Sequence, residues 1–99
     1  MNENELENKI LYKGLDAPRL TPDLIDDVIV MTDYHLFSGT CFTVCLLTLK
    51  NGFNVVGESA CVSPENFDQE IGRNVAYNDA RDKIWLLEGY LLKERLSNQ

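Results

Sequence analysis

The sequence predicts a small α+β protein in which an antiparallel sheet of about three strands precedes a long C-terminal helix. Two observations predict this class. Asn51-Gly52 lies between two segments rich in β-branched and apolar residues, a strong local signal for a β-hairpin. After Ser63-Pro64-Glu65, whose residue types favour a helix start, apolar residues recur every three or four positions. The periodicity therefore changes from strand to helix at about residue 63.

A short helix from Thr21 to about Asp27 is predicted before the sheet, because Thr can cap a helix and proline is tolerated at its first position. The Asn51-Gly52 pair predicts a two-residue type I′ turn between the second and third strands. Gly57 inside the third strand indicates a bulge, or a close approach by another backbone or a ligand. The three predicted strands are Val28–Phe37, Phe42–Leu49 and Asn54–Val62.

The last element is predicted as one helix or a closely kinked pair. Gly72 and Gly89 each weaken a helix interior by about 1 kcal/mol relative to alanine, and Asn78-Asp79 is the position where a break would fall. The apolar positions that define the helix after Phe67 are Ile71, Val75 or Ala76, Ala80, Ile84, Leu87, Leu91 and Leu92.

Length and composition predict one folded unit with an attached arm. Residues 1–20 are polar and charged, and we interpret them as an N-terminal arm that is mobile or docks on an edge. Residues 21–99 are expected to form a single α+β domain. A chain of 99 residues buries only about two-thirds of its unfolded surface, so an exposed apolar helix face would favour self-association. We expect a dimer or a larger assembly.

The charge balance limits the partners. The net charge is −7, which argues against binding to long nucleic acid, where lysine and arginine must neutralise phosphates. The charge is also uneven, since residues 1–72 hold 12 acidic and 4 basic residues and residues 73–99 hold 4 acidic and 5 basic ones. There is no apolar run of about 18 residues and no basic-then-apolar N-terminus, so we expect a cytoplasmic protein that does not engage a membrane.

The sequence contains few residues that suggest a catalytic site. His35 is the single histidine, and we interpret it as a half-buried or surface histidine of a strand. Three cysteines, Cys41, Cys45 and Cys61, are expected to be reduced thiols; a zinc site with His35 is a less favoured alternative. Clustered carboxylates near helix starts are usually solvated or capping, although Glu58, which follows Gly57, stands apart. We expect a protein that is not an enzyme and needs no cofactor.

Arginine and aromatic residues alternate at helical spacing in the C-terminal segment. Arg73 and Tyr77 are four apart, as are Arg81 and Trp85, so each guanidinium is in reach of a ring. Such pairs would form flat cationic platforms on which a purine stacks while arginine holds a phosphate. The alternative is that they only cover the surface, with Trp85 in the core. Arg95 is open to both interpretations, because a cation near a helix end also favours the dipole.

Several motifs together carry a family resemblance. The chain resembles the small phage proteins of the forty-nine/sixty-six-like family, and the likeness spans about Thr21 to Leu96. The motifs are Asn51-Gly52-Phe53, Gly57–Val62, Asn66-Phe67-Asp68, Glu70–Arg73, Lys83-Ile84-Trp85 and Leu87–Leu92.

The order of elements is also similar to that of phage anti-Thoeris sponge proteins, which sequester cyclic nucleotide signals without cleaving them and assemble as dimers or hexamers. This resemblance implies a phage anti-defence protein, working in the cytoplasm of an infected bacterium, that binds a small nucleotide and forms a homodimer or hexamer. The alternative is an acidic phage protein that binds a basic groove of a host protein through residues 1–72 and inhibits it, or a phage accessory protein with another role. We assign the roles by chemistry: phosphate to Arg73 with Arg81 or Arg95, base stacking to Phe53 or Tyr77, and a polar edge to Asn66. Backbone access at Gly57 completes the expected ligand site.

Overall fold

The computed structural model describes residues 2–99 and confirms the predicted α+β class. A three-stranded antiparallel sheet is followed by a single long helix, so the alternative of a kinked pair is not needed. Within residues 2–99 the elements are α1 (Glu3–Tyr12), α2 (Pro22–Asp27), β1 (Ile29–Leu36), β2 (Thr43–Leu49), β3 (Asn54–Ser59), a 3₁₀ turn (Pro64–Asn66) and α3 (Gln69–Ser97).

The sheet is a simple meander with the order β1-β2-β3. Along β2 buried and half-exposed residues alternate, because successive side chains point to opposite faces. One face carries the fully buried Cys45 and Leu47, and α3 lies across it. Ile25 from α2 and Val55 from β3 complete this core with residues of α3. Within residues 2–99 no element packs across the other face in this way.

The hairpin between β2 and β3 differs from the predicted two-residue type I′ turn. Within residues 2–99 every positive φ belongs to glycine, so Asn51 lacks the left-handed backbone that type I′ requires. The amide of Gly52 donates to the carbonyl of Leu49 at 2.8 Å, and the amide of Leu49 donates to the carbonyl of Phe53 at 2.9 Å. The loop therefore has three residues, with Gly52 at φ +88° as a G1 bulge.

Small residues bring α3 close to the sheet. Gly57 on β3 is buried, and a Cβ there would lie 2.8 Å from the Cα of Ala80 and closer still to the carbonyl oxygen of Ala76. The close approach predicted for Gly57 is thus made by another backbone. The stripe of α3 that enters the core is Gly72, Ala76, Ala80 and Ile84. Of the apolar positions whose spacing predicted the helix, Ile71 is 62% exposed and Leu91 43%, so both lie outside this stripe.

The N-terminal arm contains a helix that the sequence interpretation missed. Asn2 caps α1, because its side-chain oxygen accepts from the amide of Glu5 at 2.8 Å. The helix buries none of its side chains. It is attached by ion pairs, of which Arg19 with Glu7 is one, and the hydrogen bond from Arg19 lowers the pKa of Glu7. Ion pairs therefore contribute to holding α1 in place.

Side chains of α3 also reach the outer edge of β3. The backbone amide of Glu58 donates to a carboxylate oxygen of Asp79 at 3.0 Å. The ammonium of Lys83 donates to the carbonyl oxygen of Val56. Both bonds satisfy main-chain groups that an edge strand otherwise leaves without a strand partner.

The molecule is elongated. Its accessible surface is 7175 Å², whereas about 5,700 Å² is typical of a compact monomer of this mass. The radius of gyration is 16.4 Å, against about 13 Å for a compact domain of this length. Within residues 2–99 no helix has the length and apolar content needed to cross a membrane.

Candidate functional site

The predicted arginine-aromatic platforms do not form as expected. Arg73 lies over the ring of Tyr34 on β1, with its guanidinium carbon 5.1 Å from the ring centroid, rather than over Tyr77 on its own helix. Arg81 turns away from Trp85 and donates to carboxylates. Spacing along α3 put both rings in reach, but both arginines contact residues distant in sequence instead.

Arg81 is occupied by ion pairs. Its guanidinium donates to both carboxylate oxygens of Glu3 at 2.7 and 2.9 Å and to Asp26 at 2.8 Å. Its side chain is only 12% exposed. The hydrogen bonds with Glu3, followed by the one with Asp26, raise its pKa further above the ordinary value. Because two carboxylates already neutralise this cation, a phosphate would have to displace α1 in order to bind here.

The remaining predicted ligand residues are spread over the molecule. Phe53 is 55% exposed at the hairpin, and Arg95 is exposed in the last turn of α3. Tyr77 packs half-buried against the core, where burial raises its pKa. Gly57 is covered by α3. Asn66 lines a small cleft at the start of α3. The structure therefore does not bring the seven predicted residues into one site.

The α3 cleft brings together residues of three of the six family motifs, namely Gly57–Val62, Asn66-Phe67-Asp68 and Glu70–Arg73. It lies between the end of β3, the 3₁₀ turn and the first turns of α3, and its volume is about 190 Å³. That is below the range of about 300–1,000 Å³ usual for small-molecule pockets. Its walls include Cys41, Cys61, Asn66, Phe67 and Ile71. Its size suits a fragment of a ligand rather than a whole nucleotide.

The electrostatics of the α3 cleft do not favour an anion. A helix N-terminus attracts negative charge, but here Asp68 occupies it and accepts the amide of Ile71 at 3.0 Å. Thr43, 1% exposed, faces Gly72 nearby, and its hydroxyl oxygen has no hydrogen-bond partner within residues 2–99. The cleft thus combines a carboxylate, thiols and apolar side chains.

A larger candidate is the open face, the side of the sheet that α3 does not cover. The strand register places Asp33, Leu46 and Val56 in one row across the three strands, and His35, Val44 and Glu58 in the next. Phe37 and Phe42 extend the face at one end, with ring centroids 5.9 Å apart. Val56 is 41% exposed and Phe37 46%. The open face is therefore apolar along its centre.

The charged side chains that the strands place on the open face are of one sign. Asp33 and Glu58 lie at opposite edges, and the three strands contain no lysine or arginine. The ring of His35 meets that of Phe37 edge to face, with centroids 4.5 Å apart. A surface that would complement this face has an apolar centre and a basic rim.

Sequence reasoning missed the open face although β2 carried a signal for it. Phe42–Leu49 is apolar at nearly every position, a pattern typical of a strand covered on both faces. A strand covered on one face alternates between apolar and polar residues instead.

His35, Cys45 and Glu58 do not form a joint site. His35 and Glu58 lie on the open face, whereas Cys45 lies on the face beneath α3, where burial raises the pKa of its thiol. The structure has three free cysteines in residues 2–99. In the same part of the chain no three histidine, cysteine or acidic side chains are placed to hold a metal ion.

The model of the phage protein (N4 Gp49/phage Sf6 gene 66) family matches residues 20–96. The chain belongs to this family. No curated protein and no solved structure matches the phage protein significantly. The match includes the whole sheet and nearly all of α3, and it begins after α1. The open face and the α3 cleft thus both lie within the family segment of the phage protein.

Proposed function

We propose that this phage protein acts by binding a host protein through the open face, and not by catalysis. The observation that supports the proposal is the composition of β2, which is apolar toward both faces although only one face is covered. Bare apolar sheet surface of this kind is characteristic of interaction sites. Leu46 and Val44 at its centre would be buried by the partner.

The charge of the open face defines the partner. Two copies of this chain joined through it would bring Asp33 and Glu58 of each copy into one interface, which like-charge repulsion disfavours. Nucleic acid is repelled for the same reason. A protein whose apolar patch is ringed by lysine or arginine complements the face. The phage protein would then occupy a basic surface of a host enzyme and inhibit it.

Affinity capture with matched variants tests this proposal. Val56→Lys and Asp33→Lys each place a cation on the open face, whereas Val62→Lys makes the same change at a fully exposed position beyond β3. We expect wild type and Val62→Lys to recover the same host protein, and the two open-face variants to lose it. Recovery should also fall with salt, because the rim charges are solvent-exposed. Equal recovery by Val56→Lys would contradict the proposal.

A second candidate is sequestration of a host cyclic nucleotide, of the cyclic ADP-ribose or cyclic oligonucleotide type, as an anti-defence function. The observation that favours it is the α3 cleft, where Asn66 and Phe67 of one family motif offer an amide and an aromatic ring. It ranks second because the cleft is small, Asp68 opposes a phosphate and Arg81 is neutralised.

Thermal denaturation with a panel of cyclic nucleotides tests the second candidate. A ligand that binds only the folded state raises the melting temperature by mass action. We expect a shift that Asn66→Ala removes and Asn78→Ala, a change at an exposed position on α3, preserves. Intact ligand recovered after denaturation would support sequestration, and a linear product would show cleavage. No shift with any member of the panel would rule this candidate out.

A further inference from the structure

The C-terminal half of α3 exposes four large apolar side chains on one side. Leu86 is 80% exposed, Tyr90 70%, Leu91 43% and Leu87 37%. Residues of an α-helix advance by about 100° around its axis, so these four lie within an arc of about 140°. We call this arc the C-terminal apolar face. It is distinct from the open face of the sheet.

The surface of the whole molecule is large enough to include an interface with a partner. The chain exposes about 1,400 Å² more than a compact monomer of its mass. One partner in an interface of standard size buries about 800 Å². The excess is thus large enough to supply a stable interface, and the C-terminal apolar face is the part of α3 with the most exposed leucine.

The segment around this face is self-complementary about its midpoint, because apolar residues are placed symmetrically and opposite charges lie at its two ends. Lys83 lies four residues before Leu87, and Glu94 lies four residues after Tyr90. When two such helices pack antiparallel, Leu87 of one copy comes level with Tyr90 of the other, and Lys83 comes level with Glu94. Leu86 and Leu91 then flank the contact on its two sides. This self-complementarity is what a two-fold interface requires.

We propose that the partner of the C-terminal apolar face is a second copy of this chain, packed antiparallel about a two-fold axis between residues 88 and 89. Lys83 and Glu94 are both exposed, and neither forms an ion pair within residues 2–99. The ammonium of Lys83 has three donors, of which the carbonyl of Val56 takes one. Two Lys83–Glu94 pairs therefore close the ends of the interface. This inference does not depend on the proposed function.

Charge reversal measured by sedimentation equilibrium tests the proposal. The wild type should have a mass of 22.6 kDa, twice the 11.3 kDa of one chain. Glu94→Lys and Lys83→Glu should each weaken association about tenfold or more, because each puts like charges opposite one another. The double variant should restore it. Since Lys83→Glu also removes the bond to Val56, Glu94→Lys is the cleaner single change.

Two substitutions that replace an apolar residue by aspartate provide a matched control. Leu87→Asp should give a monomer, whereas Val62→Asp, at a fully exposed position away from α3, should leave the mass unchanged. A wild type that stays monomeric throughout the concentration series would overturn the proposal. So would a double reversal that associates as weakly as the single ones. Unchanged association in both single reversals would indicate parallel packing, in which each residue meets its own copy, and would also overturn it.

Discussion

The two halves of α3 differ in how they pack, although they form one continuous helix. The N-terminal half presents Gly72, Ala76 and Ala80 to the sheet, and its backbone lies close against Gly57. The C-terminal half presents leucine and tyrosine side chains to solvent. Small side chains permit close approach inside the fold, whereas large ones supply area for a partner. The size of the residues on a helix face therefore separates its internal contact from its external one.

Gly57→Ala has the largest expected effect on stability, and it tests the close contact between the N-terminal half of α3 and the sheet. The added methyl group would collide with backbone atoms of α3, which unlike a flexible side chain cannot move aside. We expect a loss of about 3 kcal/mol or more in the free energy of unfolding, at the upper end for overpacking. Urea denaturation followed by circular dichroism measures it.

Gly89→Ala is the matched control in the C-terminal half of α3. A methyl group there would meet only the side chain of Leu20, at an ordinary contact of 3.7 Å. Alanine should therefore stabilise the protein by up to about 1 kcal/mol through helix propensity. If both substitutions had similar effects, the two halves of α3 would not differ in the way described.

Ile84→Ala and Leu86→Ala compare a buried and an exposed position two residues apart. Ile84 is fully buried, so we expect its truncation to cost about 3 kcal/mol. Leu86 is 80% exposed, and its truncation should change the stability of the monomer by less than about 0.5 kcal/mol. Denaturation at low protein concentration separates this effect from association. A comparable cost at both positions would contradict the packing.

The smallest expected effect is a loss of stability at alkaline pH. Burial raises the pKa of Cys45 and of Tyr34 above their ordinary values of 9.0 and 10.0. The folded protein therefore keeps these protons after the unfolded chain has released them. Their contribution is fully present below about pH 9 and decreases as the pH rises. The decrease should be shallower in Cys45→Ala; an identical pH profile in that variant would contradict it.

The fold was predictable because its signals are local. The hairpin, the strands and the long helix all follow from residue type and spacing over a few positions. The turn type was wrong because Asn51-Gly52 suits both a two-residue and a three-residue loop, and the register across the strands decides between them. Helix α1 was missed although Asn2 and Glu5 form a capping pair at its start.

The arrangement of the candidate site was not predictable in the same way. Arg81 donates hydrogen bonds to Glu3 and Asp26, which are 78 and 55 residues away in the sequence. Spacing within α3 therefore carries no information about either partner. Arg73 similarly meets Tyr34 from another element. The open face depends on which side of the sheet α3 covers, and the near-continuous apolar run in β2 leaves both sides possible.

The bonds from Asp79 and Lys83 to the outer edge of β3 bear on how this protein behaves at high concentration. An edge strand with free main-chain groups is a template for strand addition and for amyloid-like growth. On β3 the amide of Glu58 and the carbonyl of Val56 are already taken by side chains of α3. These two groups are thereby unavailable for pairing with an added strand, so we expect strand addition, by misfolding or by domain swapping, to be favoured at the edge of β1.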